Sequence, residues 1–209
     1  MFKLIQTFEY SSLYYLNQLL SYDRRYCLAL SGTNQKEKLS ALKSAGGFYR
    51  VARNVPTAFD EKIGIERYQP VLDIIDNLSI EQFEKDPVKK ILEIETEISS
   101  RYGDRGVLSL TTKFLWLKFK SPILIYDSQA RIAVESKDGD LQSYYENWLA
   151  EFENHKEEIQ SVCKKLSGLS LYAVDQRFAN KQYIDEISSS KWFHERVFDI
   201  YLWSKGSNA

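Results

Sequence analysis

Residues 106–117 have the sequence GVLSLTTKFLWL, and residues 122–131 have the sequence PILIYDSQAR. The first stretch is apolar almost without interruption and contains one charged side chain, Lys113. Such a run predicts a buried helix over Val107–Phe119. Pro122 follows in a loop, where it prevents the helix from continuing.

A second helix is expected shortly afterwards, because Asp127 stands where an N-cap residue is needed. An aspartate before a helical stretch accepts hydrogen bonds from the first free backbone amides. The expected helix covers Ser128–Val134. The two helices are therefore consecutive in the chain, with Lys113 in the first and a carboxylate at the start of the second.

The remainder of the chain has apolar residues at helical spacing and no alternating strand pattern. We therefore expect an all-α protein with at least seven helices. It should form a single compact multi-helix domain over 1–209, divisible into helical lobes 1–105 and 106–203, with a frayed tail at 204–209. Further helices are expected over Phe8–Leu30 (one helix or two), Gln35–Ala45 up to a glycine C-cap, Pro70–Leu78, Pro87 to Gly103 with Asp86 as its N-cap, Leu141–Leu166, Leu171–Ala179 and Lys191–Trp203.

The composition indicates an ordinary globular protein. With 209 residues and a hydrophobic fraction of 44%, the chain should bury roughly 70% of its unfolded surface without a disulfide or a metal. The two cysteines are far apart, and the two histidines complete no familiar zinc spacing with them. Neither a signal peptide nor a membrane span is expected. The sequence thus predicts a cytoplasmic protein without metal or cofactor and without membrane association.

The charges are distributed unevenly along the chain, although the net charge is only −1. Residues 36–53 and 101–131 each carry a net charge of +4, whereas residues 60–100 and 135–158 each carry −6. If the two basic segments share one face, that face would attract phosphate and steer a nucleic acid. The alternative is an ordinary fluctuation of charge on solvated helix faces.

Several enzyme classes are excluded by the motifs that the sequence lacks. It contains no Walker A loop, no GxGxxG, no HExxH and no GxSxG. Phosphate-binding loops, dinucleotide sites, zinc peptidases and serine hydrolases of those types therefore have no basis here.

Over residues 106–131 the sequence resembles prokaryotic proteins with the 8-oxoguanine DNA glycosylase fold, within the helix-hairpin-helix DNA glycosylase superfamily. In that superfamily a hairpin precedes a helix with a catalytic lysine, and an aspartate opens the following helix. The resemblance implies that Lys113 attacks the sugar C1′ and forms a Schiff base. It implies that Asp127 stabilises the cationic sugar and assists proton transfer. The superfamily's hairpin turn is Gly-x-Gly, whereas here Gly106 is present without the second glycine.

The chemistry of the two residues fits these roles, and each also has a structural interpretation. Apolar neighbours partly desolvate Lys113, which favours the neutral, nucleophilic amine. An aspartate at a helix N-terminus stays ionised and can oppose a developing positive charge. In the structural interpretation, the Lys113 side chain extends to solvent from a core helix and Asp127 only caps its helix.

Other residues are candidates for DNA contacts. Trp116 and Tyr126 are candidates for stacking on an extruded base. The remaining candidates are positively charged or amide side chains suited to phosphates or base edges: Arg50, Arg53, Asn54, Lys118, Lys120 and Arg131. For the arginines at 50 and 53, the alternative is an ion pair with the acidic stretch that follows.

The sequence therefore predicts a DNA glycosylase or glycosylase/lyase-like repair protein that acts on a damaged or modified base, with DNA as its partner. The alternative is a non-catalytic helical module that binds DNA or protein, for example in bacterial defence or a mobile element. A helical ribonuclease toxin is disfavoured, because the sequence has no Arg-x-x-x-x-His pair.

Overall fold

The computed structural model describes residues 6–55 and 66–208. Within these residues the chain forms ten α-helices and no strand, which confirms the all-α class and the expectation of at least seven helices. The helices are α1 Phe8–Gln18, α2 Arg24–Ser31, α3 Gln35–Phe48, α4 Gln69–Asp76, α5 Pro87–Arg101, α6 Leu108–Phe119, α7 Ser128–Ala133, α8 Leu141–Cys163, α9 Lys181–Ser188 and α10 Lys191–Ser207. Shorter helical turns are the π-turn Leu19–Asp23 and the 3-10 turns Ala52–Asn54, Glu66–Tyr68, Ile80–Phe83 and Leu166–Tyr172.

The chain divides into two compact units. The central unit comprises residues Asp23–Ile125, and the terminal unit comprises the chain up to Tyr22 and from Tyr126 onward. These bounds differ from the lobes expected at 1–105 and 106–203, because α1 packs against α8 and α10 and so joins the C-terminal half. The π-turn between α1 and α2 contains the point where the chain passes from one unit to the other.

Helix α3 is longer than its sequence suggests. It passes through Gly46 and Gly47 and ends at Phe48, so the predicted glycine C-cap is wrong. The Gly46 backbone lies against the hydroxyl of buried Tyr68, where a Cβ atom would collide with that group. Gly46 is thus explained by close packing inside the helix and not by its end.

Two helix starts are confirmed by their caps. Asp86 accepts from the amide of Lys89 at 2.9 Å, ahead of Pro87. Asp127 accepts from the amide of Gln129 at 3.0 Å and opens α7. Both are aspartate N-caps at the positions that the sequence indicated.

The last helix extends beyond the predicted end at Trp203. Helix α10 continues to Ser207, so residues 204–207 do not fray. Ser204 and Gly206 are buried, and the Gly206 backbone crosses the Gln129 carbonyl so closely that a Cβ would overlap it. The tail is helical because a glycine lets α10 approach α7.

The segment before α9 is the clearest error of the sequence-based prediction. No α-helix forms over Leu171–Ala179; a 3-10 turn ends at Tyr172 and irregular backbone follows. Asn180 caps α9 instead, accepting from the amide of Gln182 at 2.8 Å. Apolar spacing alone misplaced this helix, because the side chains of Leu171 and Val174 within it are exposed.

Candidate functional site

Lys113 lies in the middle of α6, where every residue from Leu110 to Leu117 is buried. Only 3% of its surface is exposed. Its ammonium donates a hydrogen bond to the Ser109 hydroxyl, one turn earlier, at 2.7 Å. The structural interpretation in which Lys113 extends to solvent is therefore wrong. Burying an ammonium is costly unless polar partners compensate it.

Helix α6 is the second helix of a helical hairpin in the central unit. It packs against α5, and residues 102–107 connect the two. Within the connection, Gly103 has φ 74° and Asp104 has φ 55°, which turns the chain through the left-handed region. The Glu95 carboxylate accepts from the amide of Val107 at 2.8 Å and so fixes the start of α6.

The hairpin carries two exposed cations that were not among the predicted site residues. Arg101 and Arg105 are exposed and make no ion pair within the described part of the chain. In the sequence, Arg101 and Arg105 alternate with Gly103 and Gly106 just before the helix that contains Lys113. Exposed guanidinium groups next to a helix N-terminus suit an anionic partner.

Asp127 belongs to the terminal unit, at the start of α7. It is partly buried and caps the helix, so the capping role is confirmed. The phenol of Tyr144 on α8 is fully buried and lies close enough to Asp127 for the two groups to interact electrostatically. Burial raises the pKa of Tyr144 well above its ordinary value, and the charges of Asp199 and Asp127 add to the effect. The carboxylate therefore borders a buried polar region of its unit.

That region continues onto α10. Asp199 is buried; it accepts from the Trp148 indole at 2.9 Å, and its other oxygen lies 3.3 Å from the Arg196 guanidinium. Burial raises the pKa of Asp199 to about 7, against the lowering effects of Arg196 and Trp148. The sequence does not reveal this cluster, because nothing in the spacing of α10 indicates that its acids, Glu195 and Asp199, are buried.

The proposed base-stacking residues need correction, because the structure buries both rings. Trp116 is in the core of the central unit with 1% of its surface exposed. Tyr126 is in the core of the terminal unit, where its hydroxyl donates to Asp138 at 3.1 Å and accepts from the Gly139 amide at 2.8 Å. A ring that stacks on an extruded base must be accessible, so these two residues have packing roles.

The two arginines that follow α3 are accessible to a partner. Arg50 and Arg53 are exposed and make no ion pair among the described residues, so the alternative of pairing with the neighbouring acids has no support there. The backbone of Arg50 has φ 55°, a conformation that favours glycine. The amide of Val51 donates to Gly46 at 3.0 Å and completes a Schellman cap around it. The Asn54 side chain lies outside the described part of the structure.

The other predicted phosphate contacts are less available. The Lys118 ammonium donates to the Ile75 carbonyl at 2.5 Å and lies 3.5 Å from the Asp76 carboxylate, which Lys38 also binds. Burial lowers the pKa of Lys118, although Asp76 opposes the shift. Lys120 is only partly exposed. Arg131 donates to the Ser136 carbonyl at 2.9 Å and lies 3.4 Å from Asp138. Lys118 and Arg131 therefore stabilise their own units.

The remaining nucleophiles and acid–base groups have structural environments. Burial raises the pKa of the thiols of Cys27 and Cys163 to about 12, which leaves them unreactive at neutral pH. His194 is buried, with Nε2 2.8 Å from the Ser188 carbonyl, and burial lowers its pKa. Glu195 lies 3.4 Å from Lys191, so His194 and Glu195 have separate partners.

Residues 6–55 and 66–208 contain neither a metal-binding cluster nor a membrane-spanning helix. No cluster of three or more histidine, cysteine, aspartate or glutamate side chains there has an arrangement suited to a metal ion. None of the helices there combines the length and the apolar character needed to cross a membrane.

Comparison with known proteins gives no relative: no family model, curated protein or solved structure matches this chain.

Proposed function

We propose that this protein is a DNA glycosylase or glycosylase/lyase that acts on a damaged or modified base. Lys113 is the nucleophile: its amine attacks C1′ of the deoxyribose, the bond from C1′ to the base breaks, and the base leaves with the electron pair and takes up a proton. The nitrogen gives up one proton, the C1′–O4′ bond of the sugar ring then breaks, O4′ takes up a proton, and the nitrogen forms a protonated Schiff base with C1′. The resemblance to helix-hairpin-helix glycosylases assigns to the Asp127 carboxylate the stabilisation of the positive charge that develops on the sugar.

The burial of Lys113 carries this proposal. Most lysines keep their ammonium in water. Lys113 lies among buried residues of α6 with 3% of its surface exposed, and it donates to the Ser109 hydroxyl at 2.7 Å. Nucleophilic lysines that attack carbon are typically placed out of bulk water in this way.

Two further features support the choice of DNA as substrate. Helices α5 and α6 form a helical hairpin whose second helix contains Lys113, which is similar to the hairpin that the resemblance to helix-hairpin-helix glycosylases implies. The central unit also exposes four arginines without an ion pair among the described residues: Arg50, Arg53, Arg101 and Arg105. Uncompensated arginines suit the phosphates of a DNA backbone.

Borohydride trapping tests the proposal. The protein is incubated with duplex oligonucleotides that carry an abasic site or one of a panel of modified bases, and borohydride reduces any Schiff base to a stable adduct. We expect an adduct with the wild type and none with Lys113→Gln. Lys118→Gln is the matched control, since it removes a largely buried lysine from the same helix and should keep trapping, once corrected for the folded fraction.

A second pair of variants separates catalysis from capping at Asp127. Asparagine caps helices nearly as well as aspartate, so Asp127→Asn should leave stability almost unchanged while slowing base release. Asp140→Asn alters another N-cap aspartate, which opens α8, and should change neither property. DNA binding without an adduct on any oligonucleotide would replace the proposal with the non-catalytic binding module.

A further inference from the structure

The amine of Lys113 lies toward the start of α6. A long side chain in a helix extends toward the N-terminus, so its end meets the residue four positions earlier. That residue is Ser109, the second residue of α6, and the Lys113 Nζ donates to its hydroxyl at 2.7 Å. The reactive atom of the proposed nucleophile is therefore in direct contact with one hydroxyl group.

Ser109 lies where the buried part of α6 begins. Residues 110–117 are buried, whereas Leu108 and Ser109 are half-buried and residues 103–106 of the preceding connection are exposed. A side chain at this boundary can contact both the lysine and the solvent. The Lys113 side chain is thus enclosed along its alkyl part and ends beside a group that water reaches.

The backbone on either side of the connection is fixed by hydrogen bonds, and Ser109 follows directly after it. The Glu95 carboxylate accepts from the amide of Val107 at 2.8 Å. The Ser99 hydroxyl donates to the carbonyl of Arg105 at 2.7 Å. Both bonds tie the chain just before α6 to α5. The first turn of α6 therefore holds the Ser109 hydroxyl in place before any reaction, which is the condition for a preorganised group.

The chemistry of Schiff-base formation gives such a hydroxyl a task. The nitrogen must give up a proton after it bonds to C1′. A serine hydroxyl has one proton to donate and lone pairs that accept. Among the described residues, the hydrogen bond from Lys113 is the only one that the Ser109 side chain makes. The oxygen therefore receives the lysine N–H, and its own proton is directed to solvent.

We propose that Ser109 positions the Lys113 amine and relays the proton that the nitrogen loses on the way to the Schiff base. One N–H bond breaks and its proton passes to the Ser109 Oγ, while the O–H bond of the serine breaks and that proton passes to a water molecule. The serine stays neutral, water carries the positive charge away, and nothing is oxidised or reduced. The inference rests on the proposed function, because Ser109 has this role only if Lys113 is the nucleophile.

Single-turnover trapping tests the role of Ser109. Excess protein reacts with a duplex that carries an abasic site, at borohydride concentrations where the rate of adduct formation no longer depends on borohydride. Ser109→Ala should slow the adduct by about 100-fold per folded molecule. Its affinity for the duplex should stay unchanged, because the hydroxyl acts on the amine and not on the DNA. Ser109→Thr keeps a hydroxyl at this position and should restore most of the rate.

Thr111→Val is the matched control. It removes a buried hydroxyl from the same helix, and that hydroxyl makes no hydrogen bond among the described residues. Valine has nearly the same shape as threonine. The rate of adduct formation and the affinity for the duplex should therefore both stay at the wild-type values.

Heavy water distinguishes a relay from positioning alone. In the wild type two protons move in one step, so the rate of adduct formation plotted against the deuterium fraction of the solvent should curve. In Ser109→Ala the nitrogen loses its proton directly to water, so the same plot should be straight. A straight plot for the wild type would overturn the inference.

Two further results would overturn the inference and leave the glycosylase. One is an adduct that Ser109→Ala forms as fast as the wild type. The other is a slow Ser109→Ala variant that Ser109→Thr does not restore, which would assign Ser109 a structural role. Absence of an adduct with the wild type on any oligonucleotide would instead remove the proposed function, and the role of Ser109 with it.

Discussion

The central and terminal units differ in the charged side chains that they bury and in the side chains that they expose. The central unit buries a lysine, Lys113, against a neutral hydroxyl and leaves arginines exposed without ion pairs among its described residues. The terminal unit buries an acid, Asp199, beside Arg196, and its most exposed loop is apolar. The two units thus differ in which charged groups they bury and in which side chains they expose.

Each unit has a glycine at a close contact, and the two contacts leave different amounts of room for a Cβ atom. This difference gives the largest expected effect on stability. A Cβ at Gly206 would overlap the backbone carbonyl of Gln129, whereas one at Gly46 would meet the side-chain hydroxyl of Tyr68. Backbone yields less easily than a side chain. We expect Gly206→Ala to lower the free energy of unfolding by about 3 kcal/mol and Gly46→Ala by about 1–2 kcal/mol, measured by urea denaturation.

Equal losses for these two variants would contradict the assignment of the tighter crossing to α7 and α10. Gly47→Ala is the control, because a Cβ there meets nothing within 4 Å inside α3. It should raise stability slightly, by about 0.5–1 kcal/mol.

Exposed and engaged arginines should differ in DNA binding. Replacing both Arg50 and Arg53 by glutamine should make the slope of log K against log salt shallower by roughly 1.8. Arg131→Gln should leave the slope nearly unchanged, because Arg131 is bound to Ser136 and Asp138. Equilibrium binding to duplex DNA over a range of salt concentrations measures both. Equal slopes for the three proteins would place the DNA contact elsewhere.

The buried acid of the terminal unit should make stability depend on pH. The folded-state pKa of Asp199, about 7, lies above the ordinary value of 3.8, so the folded protein binds this proton more tightly than the unfolded chain. The free energy of unfolding should therefore fall as the pH rises from about 4 to about 7 and then level off for this group. The charged or titratable neighbours are Arg196 and Glu195 on α10 and Tyr144 on α8.

Asp199→Asn should flatten that dependence, since asparagine does not titrate and still accepts from the Trp148 indole. The measurement is urea denaturation at several pH values, with Asp185→Asn on the exposed face of α9 as the control. A stability difference between wild type and Asp199→Asn that stays constant from pH 4 to pH 8 would show that Asp199 is ionised throughout.

The smallest effect concerns the backbone of Arg50. With φ 55°, this position suits glycine, so Arg50→Gly should raise the free energy of unfolding by up to about 1 kcal/mol. The same variant should weaken duplex binding, because it removes an exposed guanidinium. A variant that is both less stable and unchanged in DNA binding would remove Arg50 from the proposed interface.

Local sequence signals predicted much of the fold, whereas the remaining features depend on packing between residues that are distant in the chain. Asp86 and Asp127 were identified from sequence, because an N-cap depends only on the residues next to it. The glycines at 46 and 206 were misjudged, because their reason is a helix that crosses them from elsewhere in the chain. The loop over 171–179 has apolar spacing typical of a helix, yet its backbone bonds to Gln176 and Asn17 instead.

The candidate site shows the same division. A lysine in an apolar helix was visible in the sequence, and its burial followed from its neighbours. The burial of Trp116 and Tyr126 was not visible, because aromatic residues in a core and at a binding surface look alike in sequence. Asp199 was invisible for a related reason, since its burial depends on Trp148 from another helix.

Identifying the attachment site of a trapped adduct tests the central claim most directly. After borohydride reduction on an abasic duplex, the protein is digested and the cross-linked peptide is sequenced by mass spectrometry. The account predicts that the deoxyribose remnant is attached to Lys113. Attachment to an exposed lysine, such as Lys43 or Lys89, or to the N-terminal amine, would contradict it, because any accessible amine can form a Schiff base with an abasic sugar.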